Sequence, residues 1–133
     1  RTYKGKTAKV PNITDMQLVL NTKAKMKNKP VVVVVNTTNP MVFSEIEPSA
    51  SAILLSFGVQ DQAIIETIVG KNEPSALLPM QMPANMSVVE KQAEDVPYDM
   101  TCHKDSEGNT YDFGFGLNWK GIIKDARVAK YKK

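Results

Sequence analysis

The chain is poor in the side chains that most often build metal centres and nucleophilic sites. Its 133 residues contain one cysteine, Cys102, and one histidine, His103. One cysteine excludes a disulfide within the chain, and one Cys with one His cannot supply the clustered ligands that zinc needs. The adjacent pair suggests a nucleophile and its base, but neighbouring side chains usually diverge, to opposite faces in a strand. We therefore predict no metal site and no catalytic Cys102–His103 pair.

Long apolar runs are also missing. No stretch is apolar over the length that crosses a membrane, and no charged segment followed by an apolar one marks an export signal. A membrane partner is therefore not expected. The first residue is Arg1 rather than Met, so an export signal removed from the native start is compatible with the sequence.

Positive charge is present without the pattern of a nucleic-acid binder. The net charge is +3 and the isoelectric point is about 9.0, but the positive residues concentrate at residues 23–29 and 130–133. No basic stripe is interleaved with aromatic residues, as a nucleic-acid module would require. The segment Gly114-Phe115-Gly116 lacks the further glycine and the helix start of a dinucleotide site. We therefore predict no nucleic-acid partner and no cofactor.

What is present is an ordinary globular composition, with 42% apolar and 23% charged residues, in a length that suits one domain. Residues 14–17 have capping-box spacing and open an apolar stripe of helical period, so a helix is expected until Lys29 and Pro30. The stripe consists of Met16, Val19, Leu20 and Ala24. Residues 31–35 are five consecutive valines, the pattern of a central parallel strand that is buried on both faces.

A second strand and a second helix follow along the chain. Residues 52–57 are predicted as another buried strand, and residues 61–69 as a helix with Gly70 just past its end. The loop at residues 36–40 ends the first strand, where open α/β sheets usually place their ligands. This alternation of helices and strands indicates an α/β fold.

The last third of the chain is less regular. Residues 77–82 are a candidate for a third strand, but Pro79 cannot donate to a ladder and favours an edge position or an irregular strand. A short helix is expected at residues 85–90 and a turn at residues 105–109. Residues 113–119 alternate large apolar side chains with other residues, so we expect an extended segment whose aromatic face packs inward.

Acidic residues are plentiful, but the sequence does not single out a pair of them. Catalysis by carboxyl groups commonly needs two of them held close together, one as nucleophile and one as acid or base. The carboxylates at predicted turns or element ends are Glu45, Glu47, Asp61, Glu73, Asp105, Glu107 and Asp112. A first-turn or capping role for Asp61 and a turn-forming role for Asp105 are the favoured interpretations. No catalytic residue is therefore named from these patterns.

Four segments, in their order and spacing, resemble the C-terminal part of glycoside hydrolase family three, the β-glucosidase and β-xylosidase family. They are residues 29–35, similar to the family's Arg/Lys-Pro-Val-Val strand; residues 57–64, similar to its Gly-rich loop and helix; residues 74–79, similar to its Pro-Ser-Gly-Lys-Leu-Pro; and residues 111–117, similar to its Phe-Gly-x-Gly-Leu. The resemblance runs from about Arg1 to Ile123. The family's usual Gly-Ser/Pro-Glu-Gly-Gly loop is here Gly-Val-Gln-Asp-Gln at residues 58–62. The family's Glu and two of its glycines are replaced, although Asp61 keeps a carboxylate nearby.

The resemblance implies an α/β fold, a three-layer α/β sandwich with a mostly parallel sheet and an irregular or antiparallel edge strand, incomplete at its N-terminal side. Residues 1–12 are then a connector from a missing upstream part. Residues 13–123 are the C-terminal portion of the family's sandwich domain, and residues 124–133 are a basic tail. An upstream strand of the family is expected beside residues 31–35, so in its absence we expect either self-association through the exposed sheet edge or binding to the severed remainder of the enzyme.

The resemblance also implies a function. The parent would be a retaining, exo-acting β-glycosidase, β-glucosidase-like, that acts on β-linked oligosaccharides or glycosides and is periplasmic or secreted. The family's nucleophilic Asp belongs to an N-terminal (β/α)8 barrel that this chain lacks, and its acid/base Glu is expected in a loop shortly before Arg1. Arg1, Tyr3 and Lys4 are expected to border that loop. No catalytic, cofactor-binding or metal-binding residue is therefore carried onto this chain, and the alternative is a stand-alone α/β binding or interaction module.

Overall fold

The architecture is taken from a computed structural model, which describes residues 5–7, 12–93 and 95–131. Most of the predicted connector at residues 1–12, with Arg1, Tyr3 and Lys4, lies outside the described residues, as does the end of the basic tail. In chain order the elements are α1 (Ile13–Met26), β1 (Val32–Asn36), a 3-10 helix (Glu47–Ser49), β2 (Ala52–Ser56), α2 (Asp61–Ile68), α3 (Met86–Lys91), β3 (Leu117–Asn118), β4 (Gly121–Ile122) and a second 3-10 helix (Val128–Tyr131).

Strands β1 and β2 form a parallel pair, which confirms the predicted α/β class. The register runs from Val32 opposite Ala52 to Asn36 opposite Ser56. The Thr37 N–H donates to the Ser56 carbonyl at 3.0 Å just past the end of this ladder. Strands β3 and β4 supply an antiparallel pair in a separate short hairpin. The sheet content is therefore mixed, as predicted, with the parallel part in the two longer strands.

The prediction that β1 is buried on both faces is wrong for the residues that the structure describes. Val33 is 8% exposed, whereas Val32 and Val34 are each 41% exposed. Helix α1 covers one face through Met16 and Val19, and the described residues leave the other face of the strand half open. A run of β-branched residues therefore identified the strand correctly but not the number of layers around it.

Strand β2 is also less buried than predicted. Ser56 is its only buried residue, while Ile53, Leu54 and Leu55 are half-buried. Phe57, which was expected inside, is exposed. No further strand among the described residues pairs with either edge of this sheet, so β2 has no neighbouring strand on its outer side to shield its side chains.

The core lies on the covered face of the sheet. Its buried members are Val31, Val33, Phe43, Ile46 and Met82. Phe43 and Ile46 come from the connection between β1 and β2, and Phe43 packs edge-on against Tyr111 with ring centroids 5.8 Å apart. Three separate parts of the chain thus meet in one cluster. The cluster is small, because each part contributes only one or two apolar side chains.

The helix predictions hold better for position than for capping. Helix α1 begins after Asn12 with no capping side-chain hydrogen bond, and Thr14 lies inside the helix, so the predicted capping box is wrong. The helix ends before Lys27, whose φ of 54° breaks the helical path ahead of Pro30. Helix α2 ends as predicted, with Gly70 just beyond it at a φ of 80° that glycine adopts without strain.

Residues 77–82 form no strand, in keeping with the expected irregularity at Pro79. The Leu78 N–H donates to the Phe115 carbonyl at 2.7 Å, and the Met82 N–H donates to the Tyr111 carbonyl at 3.0 Å. The short helix α3 is present, with the Asn85 side chain accepting from the Val88 N–H at 3.0 Å. The segment is held by scattered backbone hydrogen bonds because proline interrupts a continuous ladder.

Of the two predictions near the end of the chain, the turn is confirmed and the inward aromatic face is correct only in part. The turn at residues 105–109 is present, with the Asp105 carboxylate accepting from the Asn109 N–H at 2.7 Å. The inward aromatic face holds only in part. Phe113 and Phe115 are half-buried, but Leu117 is exposed and Trp119 is 58% exposed. The reason is the tight turn between β3 and β4, which carries Trp119 to the surface.

The two faces of β1 provide a matched test of this architecture. We expect Val33→Asp to unfold the domain, because an unpaired carboxylate in the core costs several kcal/mol against a total of roughly 5–15 kcal/mol. Val34→Asp, one residue away on the half-open face, is expected to be far milder. Thermal unfolding followed by circular dichroism measures both. Equal losses in melting temperature for the two variants would contradict the one-sided core.

Candidate functional site

A cavity of about 410 Å³ is lined by Gln81 and its neighbour Met80 and by side chains from residues 92–93 and 95–100. Of the predicted ligand loop at residues 36–40, only Pro40 lines it. Asn36 is used elsewhere, because its Oδ1 accepts from the Gly58 N–H at 3.1 Å. The Thr37 hydroxyl donates to the Asn39 carbonyl at 2.8 Å. The polar groups of this loop therefore stabilise the strand ends.

Gln81 organises the wall of that cavity, and it is buried although it is polar. Its Nε2 donates to Asp112 Oδ1 at 2.8 Å and to Cys102 Sγ at 3.2 Å. Its Oε1 accepts from the Tyr98 N–H at 3.0 Å. The amide group thus joins three segments that are distant in sequence. These hydrogen bonds offset the free-energy cost of burying the amide.

The Cys102 thiol is unsuited to nucleophilic chemistry. Burial and, second, the negative charge of Asp112 raise its pKa to about 11, so little thiolate is present near neutral pH. His103 joins a different cluster, where its ring packs edge-on against Tyr111 with centroids 5.0 Å apart. Its buried Nε2 lies 4.0 Å from Glu47 Oε2 and makes no hydrogen bond to a described residue.

The larger cavity is a groove of about 650 Å³ beside β2. Every residue of β2 lines it, together with Ala63 and Ile64 of α2. Residues 73–78 and 115–119 form a further part of its wall. Its lining residues are mainly apolar, and some of its polar groups lie toward the beginning of β2, where Glu47 belongs to the 3-10 helix just before the strand.

That polar end carries three of the carboxylates that the sequence could not rank. Glu47, Asp105 and Glu107 line it. Glu47 Oε1 accepts from the Ser106 hydroxyl at 2.8 Å and from the Ser106 N–H at 3.2 Å. Burial, followed by the charges of Asp105, Glu47 and Glu107, raises the pKa of Tyr111 to about 12. The groove therefore has a strongly negative end.

The other carboxylates named above lie apart from this group. Glu73 lines the groove as well, and Asp112 belongs to the Gln81 network. Asp61 lies in the first turn of α2, as interpreted from the sequence, and Glu45 is exposed. In the part of the chain that the structure describes, no group of three His, Cys, Asp or Glu side chains is arranged to hold a metal ion.

Sequence reasoning missed two of these arrangements. The contact between Glu47 and Ser106 joins residues 59 positions apart, and nothing local marks it. Gln81 gave one weak signal, because it stands as a polar residue among Leu78, Met80 and Met82.

Over the described ranges, no helix is long and apolar enough to cross a membrane.

Comparison with known proteins identifies relatives over most of the chain. Residues 5–119 match the family described as "Glycosyl hydrolase family 3 C-terminal domain". "Beta-glucosidase C" of Emericella nidulans is 32% identical over 91 residues, which are 68% of this chain and 14% of the relative. "Periplasmic beta-glucosidase/beta-xylosidase" of Dickeya chrysanthemi is 28% identical over 117 residues, 88% of this chain and 16% of the relative. No solved structure matches significantly.

The chain thus spans about one seventh of the length of the curated relatives it matches, since the shares are 14% and 16% for these two. A third relative, "Probable beta-glucosidase C" of Aspergillus oryzae, is 32% identical over 90 residues, 68% of this chain and 13% of the relative.

Thiol reactivity tests the geometry around Gln81. With its pKa raised to about 11, Cys102 should react with iodoacetamide at pH 8 about two orders of magnitude more slowly in the folded chain than in urea. The folded rate should keep rising as the pH approaches 11. Asp112→Asn should lower the pKa and speed the reaction, because it removes a negative charge.

Asp125→Asn is the matched control, since Asp125 pairs with Arg127 at the surface. It should leave the rate unchanged. Equal rates in the folded and unfolded chains would contradict the half-buried position of the thiol beside Asp112.

Proposed function

The chain belongs to the glycosyl hydrolase family 3 C-terminal domain family, and from that premise we propose that it is part of a retaining, exo-acting β-glycosidase. The parent enzyme hydrolyses terminal β-linked sugars and is β-glucosidase-like. The family match over residues 5–119 carries the proposal. The names of the fungal and bacterial relatives, β-glucosidases and a β-glucosidase/β-xylosidase, support it.

In this proposal the chain closes one side of the active-site cleft, and the two catalytic carboxyl groups come from other parts of the parent. Three half-buried carboxylates among the described residues are engaged in the fold of the chain, which supports that division. Glu47 accepts from Ser106, Asp105 accepts from Asn109, and Asp112 accepts from Gln81. A carboxylate held by such contacts is poorly placed to attack a sugar or to exchange a proton with it.

The uncovered surface of the sheet supports attachment to a larger protein. Parallel sheets occur almost only where both faces are covered, yet Val32 and Val34 remain substantially exposed. The outer edge of β1 also has no partner strand among the described residues. In the parent, upstream strands of the same domain and the barrel domain cover these surfaces.

A second function, that of a stand-alone binding or interaction module, is favoured by the groove beside β2, whose volume of about 650 Å³ lies in the range of ligand pockets. The length of the reading frame upstream of this chain distinguishes the two functions. An upstream segment long enough for a barrel supports the glycosidase, and its absence supports the module.

The glycosidase proposal predicts that the purified chain does not hydrolyse aryl β-glucosides or aryl β-xylosides, because retaining hydrolysis needs two positioned carboxyl groups. The protein encoded by the complete reading frame should hydrolyse at least one of them. Both are assayed by release of the phenol. Turnover by the chain alone, at a rate comparable with that of the complete protein, would contradict the assignment of catalysis to other parts of the parent.

The open edge of β1 predicts association of the isolated chain, because unpaired N–H and C=O groups on an apolar edge are a template for further pairing. Alternate residues of β1 point their backbone N–H groups toward β2. Because the Thr37 N–H donates to the Ser56 carbonyl, the Val34 N–H, three residues earlier, points away from β2. Sedimentation should detect dimers or larger species that Val34→Pro reduces, since proline removes that donor. A monomeric wild-type chain at high concentration would contradict this prediction.

A further inference from the structure

Strand β2 has a second free edge, on the side opposite β1. In a parallel ladder alternate residues point their backbone groups to the partner strand. With the Ser56 carbonyl accepting from Thr37, Ala52, Leu54 and Ser56 face β1. Ile53 and Leu55 therefore direct their N–H and C=O groups away from it. No described strand pairs with this side of β2.

This edge lies inside the groove. All five residues of β2 line the groove, and Ile53, Leu54 and Leu55 are half-buried rather than fully exposed. At about 3.3 Å per residue, the strand offers an edge about 16 Å long. The flanking walls contain Ile64 of α2 and Leu77. The free backbone groups are thus placed between apolar side chains.

Charge distinguishes the two ends of this edge. Glu47 lies in the 3-10 helix just before β2 and contacts Ser106, which places Asp105 and Glu107 near that end of the strand, and Glu73 also lines the groove. None of the described lining residues is Lys or Arg, although the chain as a whole has a net charge of +3. The field in the groove therefore favours a positively charged occupant and repels a nucleic acid.

We propose that the groove binds an extended, basic polypeptide segment as an added strand on β2. The free N–H and C=O groups of Ile53 and Leu55 hydrogen-bond its backbone, as in β-strand addition elsewhere. Its alternate apolar side chains contact Ile64 and Leu77, and a Lys or Arg at one end lies beside Glu47 and Glu107. This inference does not depend on the proposed glycosidase function.

A polypeptide is favoured over a small ligand because the groove presents backbone groups in a row at strand spacing. A small molecule would use only one or two of them, which would leave the others unpaired between apolar walls at a cost in free energy. A strand pairs with them in succession, and its own backbone is satisfied on the same side.

The test uses the full chain, labelled with ¹⁵N, and the capped peptide Lys-Lys-Val-Thr-Val-Thr-Val as the probe. Binding should shift the amide resonances of Ile53 and Leu55 and protect those amides from hydrogen exchange. Two further peptides carry N-methyl groups, one on its Val amides and the other on its Thr amides. One of these two should lose binding at least about tenfold and the other should retain it, because alternate amides of a strand point in opposite directions.

Charge is tested on both partners. A peptide with Glu-Glu in place of Lys-Lys should bind more weakly, and Glu107→Gln should weaken the binding of the basic peptide about threefold, as expected for a partly exposed ion pair. Glu45→Gln is the matched control, since Glu45 is exposed and does not line the groove. It should leave the affinity unchanged.

Several results would overturn the proposal. They are an absence of binding at millimolar peptide, equal binding of the two N-methylated peptides, equal binding of the acidic peptide, and equal effects of Glu107→Gln and Glu45→Gln. Resonance shifts confined to Val32 and Val34 would assign the peptide to the β1 edge instead. Intermolecular contacts to β2 from a second copy of the chain would assign the groove to self-association.

Discussion

The structure depends on the parallel ladder between β1 and β2. This ladder places Val31 and Val33 on the same side as α1 and positions the connection that carries Phe43 and Ile46 into the core. Met82, from a segment with no regular secondary structure, completes the buried cluster. A two-stranded sheet is at best marginal in water, so the packing of these few side chains under one face is what holds the pair together.

The same ladder explains the open surfaces. One face is covered, the other face presents Val32 and Val34, and each outer edge carries unpaired backbone groups within the described residues. Membership of a glycoside hydrolase domain family and a match to about one seventh of each relative give these surfaces a natural interpretation. In the function proposed above, they meet the remainder of a larger enzyme, and the carboxylates of the chain serve its fold.

Local signals predicted the elements well and their surroundings poorly. Five valines identified β1, and Gly70 marked the end of α2, because both effects depend on the backbone of the residues themselves. Burial of the outer face of β1 and the position of Trp119 depend on layers and turns that are distant in sequence. The bond between Glu47 and Ser106 could not be predicted at all, since each residue alone suits a surface turn. For the same reason the groove beside β2 could be found only in three dimensions.

The most direct test of the account compares backbone hydrogen exchange in the isolated chain and in the longer enzyme proposed above. The Val33 and Val35 amides bond to β2 and should be protected in both. The Val34 amide points to the open edge of β1, so it should exchange rapidly in the isolated chain, diluted until it is monomeric, and slowly in the longer enzyme. Rapid exchange of Val34 in both proteins, or equal protection in both, would contradict the claim that the larger enzyme completes this sheet.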